Sequence, residues 1–298
     1  MTKCISLHQN TITIMSMNPI RFTKMHGISN DYIYINCMNG QPECPQHLSV
    51  EMSDRHTGVG GDGIILICPS EIADFKMRIF NADGSEAKMC GNGSRCVGKY
   101  VYDYGLTDKT RITLETLSGI KVLSLHLCGG KVDTVTVDMG EPVLTPCEIP
   151  VRHDGDSMID HKVISAGKEY RLTAVSMGNP HGVIFGADPD SLPLEAIGPG
   201  LECHDMWQDR ANIEFASVLS PSEIKMRVWE RGSGETMACG TGACATAVAA
   251  VLNGLTGRRV TVHLRGGDLT IEWRPDDNHV YMTGSATTVF EGTYERQI

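Results

Sequence analysis

Apolar residues recur along this chain in short runs closed by turn residues, and most of the runs are rich in Ile, Val, Tyr and Thr. They predict strands at Tyr32–Asn36, Gly63–Cys68, Arg111–Glu115 and Val132–Val137, then at Val183–Phe185, Ile213–Val218, Val260–His263 and Leu269–Trp273. Two stretches break this rhythm. Val97, Tyr100, Val101 and Tyr104 return at intervals of three and four, and that run stops at Gly105, a natural helix-ending glycine. The stretch Ala243–Leu252 is apolar nearly all round and stops at Gly254, so it predicts a helix that belongs inside a core. Each predicted helix begins just after a cysteine, Cys90 or Cys239. The pattern predicts an α/β (α+β) fold of two pseudo-symmetric domains, each a curved, mostly antiparallel sheet wrapped around one central helix.

The two halves also match residue by residue. Lys76-Met-Arg-Ile-Phe80 leading to Met89-Cys-Gly-Asn-Gly93 recurs as Lys225-Met-Arg-Val-Trp229 leading to Ala238-Cys-Gly-Thr-Gly242, at an offset of 149 (239 − 90). The same offset carries Glu86 onto Glu235, Gly105-Leu-Thr107 onto Gly254-Leu-Thr256, and Asn30 onto Asn179. A period of that length is a duplicated domain. We therefore expect an extension over residues 1–19, a first domain over 20–140 completed by 286–298, and a second over 141–285. The crossover falls near Gly140–Pro150, where Gly140, Pro142, Pro146 and Pro150 interrupt the strands.

A chain of 298 residues has room for two such cores. Its net charge of −10, with no clustered basic stripe, argues against nucleic acid or an anionic membrane as partner, and leaves a small polar molecule. The eleven cysteines are odd in number and follow no secretory signal, which points to a reduced, cytoplasmic setting rather than a disulfide framework. No Cys-x-x-Cys pair occurs, so no metal site is expected. Residues 1–19 are too polar for a signal peptide or a membrane span and read as a dispensable extension, with Met15 or Met17 as alternative starts.

The chemistry converges on the two cysteines. At a helix N-terminus, unpaired N–H groups and the positive end of the dipole favour thiolate over thiol. Gly91, Gly93, Gly240 and Gly242 let the backbone approach a ligand closely enough to cradle a carboxylate. If the copies face each other, one thiolate removes a Cα proton and the opposite thiol returns one to the other face. Such an arrangement inverts an amino-acid centre without a cofactor. Taken alone, one Cys-Gly-x-Gly only starts a helix tightly; two in register point to the chemistry. Asn30, Asn81, Asn179 and Asn212 sit near strand ends, and Glu230 with Arg231 makes a clamp for a second ammonium-carboxylate group. His181 is placed to assist a cysteine, although a turn histidine fits the sequence as well. The motif Gly58-Val-Gly60-Gly-Asp-Gly63 precedes a strand rather than a helix, which excludes a dinucleotide site.

From about Phe22 onward the chain resembles diaminopimelate epimerases. The resemblance rests on Lys24-Met-His-Gly-Ile-Ser-Asn-Asp31, Phe80-Asn-Ala-Asp-Gly-Ser-Glu86, Met89-Cys-Gly-Asn-Gly93, Met177-Gly-Asn-Pro-His181, Trp229-Glu-Arg-Gly-Ser-Gly-Glu-Thr236 and Ala238-Cys-Gly-Thr-Gly-Ala243. It implies a cytoplasmic, cofactor-free and metal-free homodimer that interconverts LL- and meso-diaminopimelate in lysine biosynthesis. It also implies that Cys90 and Cys239 are the acid/base pair and that the N–H groups of Gly91, Asn92, Gly240 and Thr241 bind the carboxylate at the reacting centre. Asn30 then lies near the reacting amino group. Asn81, Asn179, Asn212, Glu230 and Arg231 read the distal centre, with His181 and Glu230 supporting the cysteines. Three positions depart from the family pattern. Ser29 stands where glycine is common, Lys88 where an acidic or neutral residue is frequent, and Gly63 where some members carry a substrate-contacting glutamine.

Three other readings remain open on the sequence: a racemase of another amino acid on the same fold, a duplicated amino-acid-binding module without catalysis, and a thiol redox protein. Asn92 after Cys-Gly argues against the proline type of racemase, which tends to carry histidine there.

Overall fold

A computed structural model of the chain describes residues 19–296. The first eighteen residues of the expected extension and the last two of the segment 286–298 lie outside them. The first half runs β1 (Ile20–Gly27), β2 (Asn30–Asn36), α1 (Pro45–Ser53), β3 (Gly63–Cys68), β4 (Phe75–Asn81), β5 (Glu86–Ala87), α2 (Gly91–Asp103), β6 (Arg111–Thr116), β7 (Gly119–Cys128) and β8 (Lys131–Asp138). The second runs β9 (His161–Ser165), β10 (Lys168–Ser176), β11 (Pro180–Phe185), α3 (Leu194–Glu202), β12 (Asn212–Ser220), β13 (Glu223–Glu230), β14 (Gly234–Thr236), α4 (Gly240–Leu252), β15 (Arg259–Leu264), β16 (Gly267–Trp273), β17 (Val280–Ser285) and β18 (Thr287–Tyr294). The predicted strands and both predicted helices are present. The sequence offset also holds in the structure: α2 and α4 are related by 149 at both ends (240 − 91 and 252 − 103).

Strand pairing repeats as well. β2 lies parallel to β3 and β4 to β6; in the second half β11 lies parallel to β12 and β13 to β15. The other pairings are antiparallel, which leaves each sheet mostly antiparallel as expected. Two junctions make the halves one sheet. β8 pairs with β17, and β18 crosses back to lie against β1, with Ile20 opposite Tyr294.

Each sheet curves around one helix. α2 packs on β1, β2, β7 and β8, and α4 on β10 to β13 and β15 to β17. Cys96, Val97 and Val101 of α2 are fully covered, as are Ala243 to Ala250 of α4. Each buried valine contributes about 1.5–3 kcal/mol of transfer free energy, so the central helices are held by burial rather than by propensity. The glycines that end them take left-handed φ values, 71° at Gly105 and 66° at Gly254, and the N–H groups of Leu106 and Leu255 close the last turns on Val101 and Ala250. Smaller clusters under α1 and α3 cover the outer faces of the sheets.

The tip of the β1–β2 hairpin, Ile28 and Ser29, takes φ values of 48° and 70° and docks on the second half at Gly266. The left-handed φ explains why glycine is common at position 29. A Cβ on Gly266 would fall 2.2 Å from the Ile28 carbonyl oxygen, so the two halves approach through bare backbone there. Among the described residues no helix is long and apolar enough to cross a membrane.

Candidate active site

Both cysteines sit at the N-terminal caps of the central helices, Cys90 on α2 and Cys239 on α4, in extended backbone conformation. The two helix starts are neighbours. A Cβ on Gly91 would meet the Met282 Cε at 2.6 Å, and one on Gly240 would meet the same side chain at 3.0 Å and the Asn92 Oδ1 at 3.5 Å. The first N–H groups of both helices lack intrahelical acceptors. Gly91, Asn92, Gly240 and Thr241, the residues expected to cradle a carboxylate, are thus the first two residues of each helix.

The surroundings of the two sulfurs differ. Cys90 Sγ accepts from the Gly93 N–H at 3.3 Å, and its thiol donates to Asn30 Oδ1 at 3.3 Å. Asn92 Nδ2 approaches the same Asn30 oxygen at 3.5 Å, and the Tyr32 hydroxyl is also within hydrogen-bond reach of Asn30. Cys239 makes no cap bond of its own and lies 3.6 Å from Thr241 Oγ1. Its neighbours are carboxylates, Glu230 and Glu214.

The expectation of readily ionised thiols is corrected by this packing. Burial pushes the Cys90 thiol up despite the Gly93 N–H and the Arg95 charge, which act the other way. Cys239 is raised well above the usual thiol range, first by burial and then by Glu230 and Glu214. Loss of solvent outweighs the helix terminus because each cap is enclosed by the opposite half. Burial likewise raises the Glu230 carboxyl, although Thr236 hydrogen-bonds to it and Cys239 lies against it. Glu230 raises both thiols electrostatically, and it is Cys239 that it lies against.

The other predicted residues are held by contacts within their own half. His181 is fully buried, with Nδ1 2.7 Å from Glu214 and Nε2 3.1 Å from Asn179 Oδ1. Both ring nitrogens are thus engaged, and neither bonds to a sulfur. Asn212 accepts the Arg231 N–H at 2.9 Å, while the Arg231 side chain points outward to the carbonyl and carboxylate of Asp209 at 3.0 and 3.2 Å. Glu202 fixes the same loop by accepting from the Gly232 N–H and Trp229 Nε1, each at 2.8 Å. Asn81 bonds to Ser85 Oγ at 3.1 Å at the end of β4. Gly63 next to it has a φ of 155°, and a Cβ there would lie 2.1 Å from the Phe80 oxygen. The position therefore has no space for the glutamine of other members. Lys88 is exposed.

Four residues of the site were not singled out from sequence. Asp62 accepts from Asn30 Nδ2 at 2.7 Å and from the Asp31 N–H at 3.0 Å, Tyr32 packs over Gly63, and Glu214 backs His181. Arg95 is completely buried. Its Nε donates to the Ser285 carbonyl at 3.1 Å, Nη1 lies 3.7 Å from Met282 Sδ, and Nη2 has no partner among the described residues. Asn92 Oδ1 and Glu214 Oε2 are also buried and unpartnered. The 149-residue offset was a signal for one of them: it pairs Tyr32 with His181.

Residues 22–145 and 173–289 match the family model of diaminopimelate epimerase. A diaminopimelate epimerase of Acetivibrio thermocellus is 58% identical over 273 residues, 92% of this chain and 98% of the relative. One of Methanococcus maripaludis is 55% identical over 273 residues, 92% of this chain and 99% of its own. Among solved structures, a PhzF-family phenazine biosynthesis protein of Bacillus anthracis aligns with a TM-score of 0.69 at 16% identity, covering 94% of this chain and all of its own. A hydroxyproline epimerase of Agrobacterium vitis aligns at 0.65 and 15%, covering 93% and 91%. These distant likenesses show the two-domain epimerase fold.

Proposed function

The chain belongs to the diaminopimelate epimerase family and interconverts LL- and meso-diaminopimelate in lysine biosynthesis, and we propose that it does so with Cys90 and Cys239 as opposed acid and base. The observation that carries the mechanism is the pair of cysteine-capped helices whose first turns meet at Met282. The substrate carboxylate sits in the N–H cradle and its Cα–H points at one sulfur. That sulfur, as thiolate, takes the proton, and the electron pair left on Cα spreads into the carboxylate, where the N–H groups stabilise it. The opposite thiol gives its proton to the other face. The sulfurs have then exchanged protonation states, and no redox change has occurred, so side chains alone carry both protons.

Cys90 is the more readily ionised partner in this reading, since the Arg95 charge offsets part of its burial, whereas two carboxylates add to that of Cys239. Cys239, between two carboxylates, rests as the thiol. Glu230 sits where it takes up the Cys239 proton when the reaction runs in the other direction, and His181 holds Glu214 in place beside it. Asn30 accepts from the reacting ammonium. Asn81, Asn179, Asn212 and Arg231 receive the distal amino-acid end, for which Arg231 has to leave Asp209. Catalysis needs both sulfurs reduced, which the cytoplasm provides.

We divide the chain into a first domain, residues 20–140 completed by 286–298, and a second, 141–285, because β18 completes the sheet that β1 begins. The homodimer implied by the sequence resemblance fits β18, which among the described residues is paired on one side only and exposes Val289 and Phe290. Sedimentation of the parent and of Phe290→Glu tests that contact, and a monomeric parent sinks it.

The decisive experiment follows LL-diaminopimelate in deuterated water under reducing conditions. The parent forms meso product labelled at Cα, and Cys90→Ala and Cys239→Ala each lose epimerisation. A single mutant that still epimerises overturns the two-cysteine reading.

A further inference from the structure

We propose that Asp62 is a positioning residue that fixes the side-chain amide of Asn30 with its oxygen turned to the reacting centre; the inference deepens the two-cysteine reading and rests on it for its catalytic meaning. Asp62 Oδ2 accepts from both Asn30 Nδ2 at 2.7 Å and the Asp31 N–H at 3.0 Å, while Arg55 holds Oδ1 at 3.0 Å. An ionised carboxylate only accepts, so the edge of the amide that faces it must be the NH2. The Asn30 oxygen is thereby turned to Cys90 Sγ at 3.3 Å and Asn92 Nδ2 at 3.5 Å. In that orientation Asn30 offers an acceptor to a substrate ammonium and to the Cys90 S–H. Turned over, it would present N–H to the ammonium and stabilise the Cys90 thiolate.

The second half has no such anchor. Ala211 occupies the place equivalent to Asp62 (211 − 62 = 149), and Asn179 instead turns its oxygen to His181. The acceptor at the reacting amino group is therefore built into the first half alone, and it gives that end of the site its preference for an ammonium over a carboxylate.

The test separates orientation from charge. Asp62→Asn and Asp62→Ala remove the same charge, but asparagine keeps an oxygen at the Oδ2 position, held there by the Asp31 N–H, and so keeps the Asn30 amide as it is. The rate of iodoacetamide alkylation at Cys90 is followed against pH by peptide mass spectrometry in the Cys239→Ala background. The other groups that face Cys90, namely Tyr32 on β2, Asn92, Gly93 and Arg95 on α2, and Glu230 on β13, are common to both variants.

The alanine variant is expected to alkylate with a midpoint lower than the asparagine variant by about half to one pH unit, because the freed amide can donate to the thiolate. With Cys239 intact, its KM for LL-diaminopimelate should exceed that of Asp62→Asn by about tenfold, the usual effect of losing one hydrogen bond to a charged group. An alanine midpoint equal to or above that of asparagine overturns the proposal. Should the alanine variant melt below the assay temperature, Asp62→Leu takes its place in the same comparison. Failure of the two-cysteine reading shows separately, as epimerisation by Cys90→Ala, and leaves the alkylation comparison intact.

Discussion

The first half sets amides, a phenol and the Arg95 guanidinium around its cysteine, whereas the second half supplies an imidazole and two carboxylates. The offset of 149 sets Asn30 against Asn179, Tyr32 against His181, Gly63 against Asn212, Ile65 against Glu214, Asn81 against Glu230 and Asn92 against Thr241. The scaffold is common to both halves; the proton affinity of its occupants is not. Duplication gave two helix caps that meet around Met282, and divergence at five of these six positions raised the Cys239 thiol further than Cys90. Under the proposed two-cysteine mechanism, two identical thiols would leave the enzyme without a preferred acid and base in the resting state. Unequal ones supply a proton and a site to receive one.

The comparison can be broken or sharpened by substitution. Cys90→Ala and Cys239→Ala should each lower epimerisation by about 10³-fold, within the usual range for a positioned acid or base, as seen by loss of Cα deuterium in the meso product. Gly63→Gln asks the first half to carry a side chain where the second carries Asn212. With its Cβ 2.1 Å from a backbone oxygen, it should cost about 2–4 kcal/mol in urea unfolding.

Glu230→Gln removes a carboxylate that raises Cys239, so the alkylation midpoint of that thiol should fall by about one unit. Its effect on stability has a definite sign. Glu230 binds its proton more tightly folded than unfolded, so the parent loses stability as pH rises from about 4.5 toward the raised folded value. The glutamine variant lacks that loss. It should melt higher than the parent at pH 7, and the difference should vanish near pH 4. Asn81→Glu gives the first half the group that Glu230 gives the second, and should raise the Cys90 midpoint by about half a unit. A midpoint that does not move would show that Asn81 lies too far from the sulfur for the equivalence to hold electrostatically.

Much of this architecture was legible in the sequence because the repeat fixes two copies of each element at once. The helices after Cys90 and Cys239, their glycine stops and the strands at Tyr32, Gly63, Ile213 and Val260 all follow from local periodicity. The protonation of the cysteines did not, because it depends on enclosure by the opposite half, and a helix-cap argument contains no term for lost solvent. Asp62 was hidden in a glycine-rich turn whose relation to Asn30 comes from the parallel pairing of β2 and β3. Arg95 is polar on a helix face that the pattern of Val97, Tyr100 and Val101 marks as buried, and only the packing of Ser285 and Met282 shows what occupies its donors. Glu214 stands in a strand where alternation alone cannot tell a core carboxylate from a surface one.

The return of β18 to the side of β1 has a consequence for biosynthesis. Ile20 of the first strand leaves the ribosome early and waits for Tyr294 of the last strand before its sheet is complete. The second domain, whose pairings are all local to its own segment apart from the β8–β17 seam, is free to form earlier. Folding should therefore be slow for a chain of this length, since its outermost pairing is also its longest loop closure. Until β18 has been made, one flank of β1 stays unpaired, so a fragment that lacks β18 is expected to be inactive.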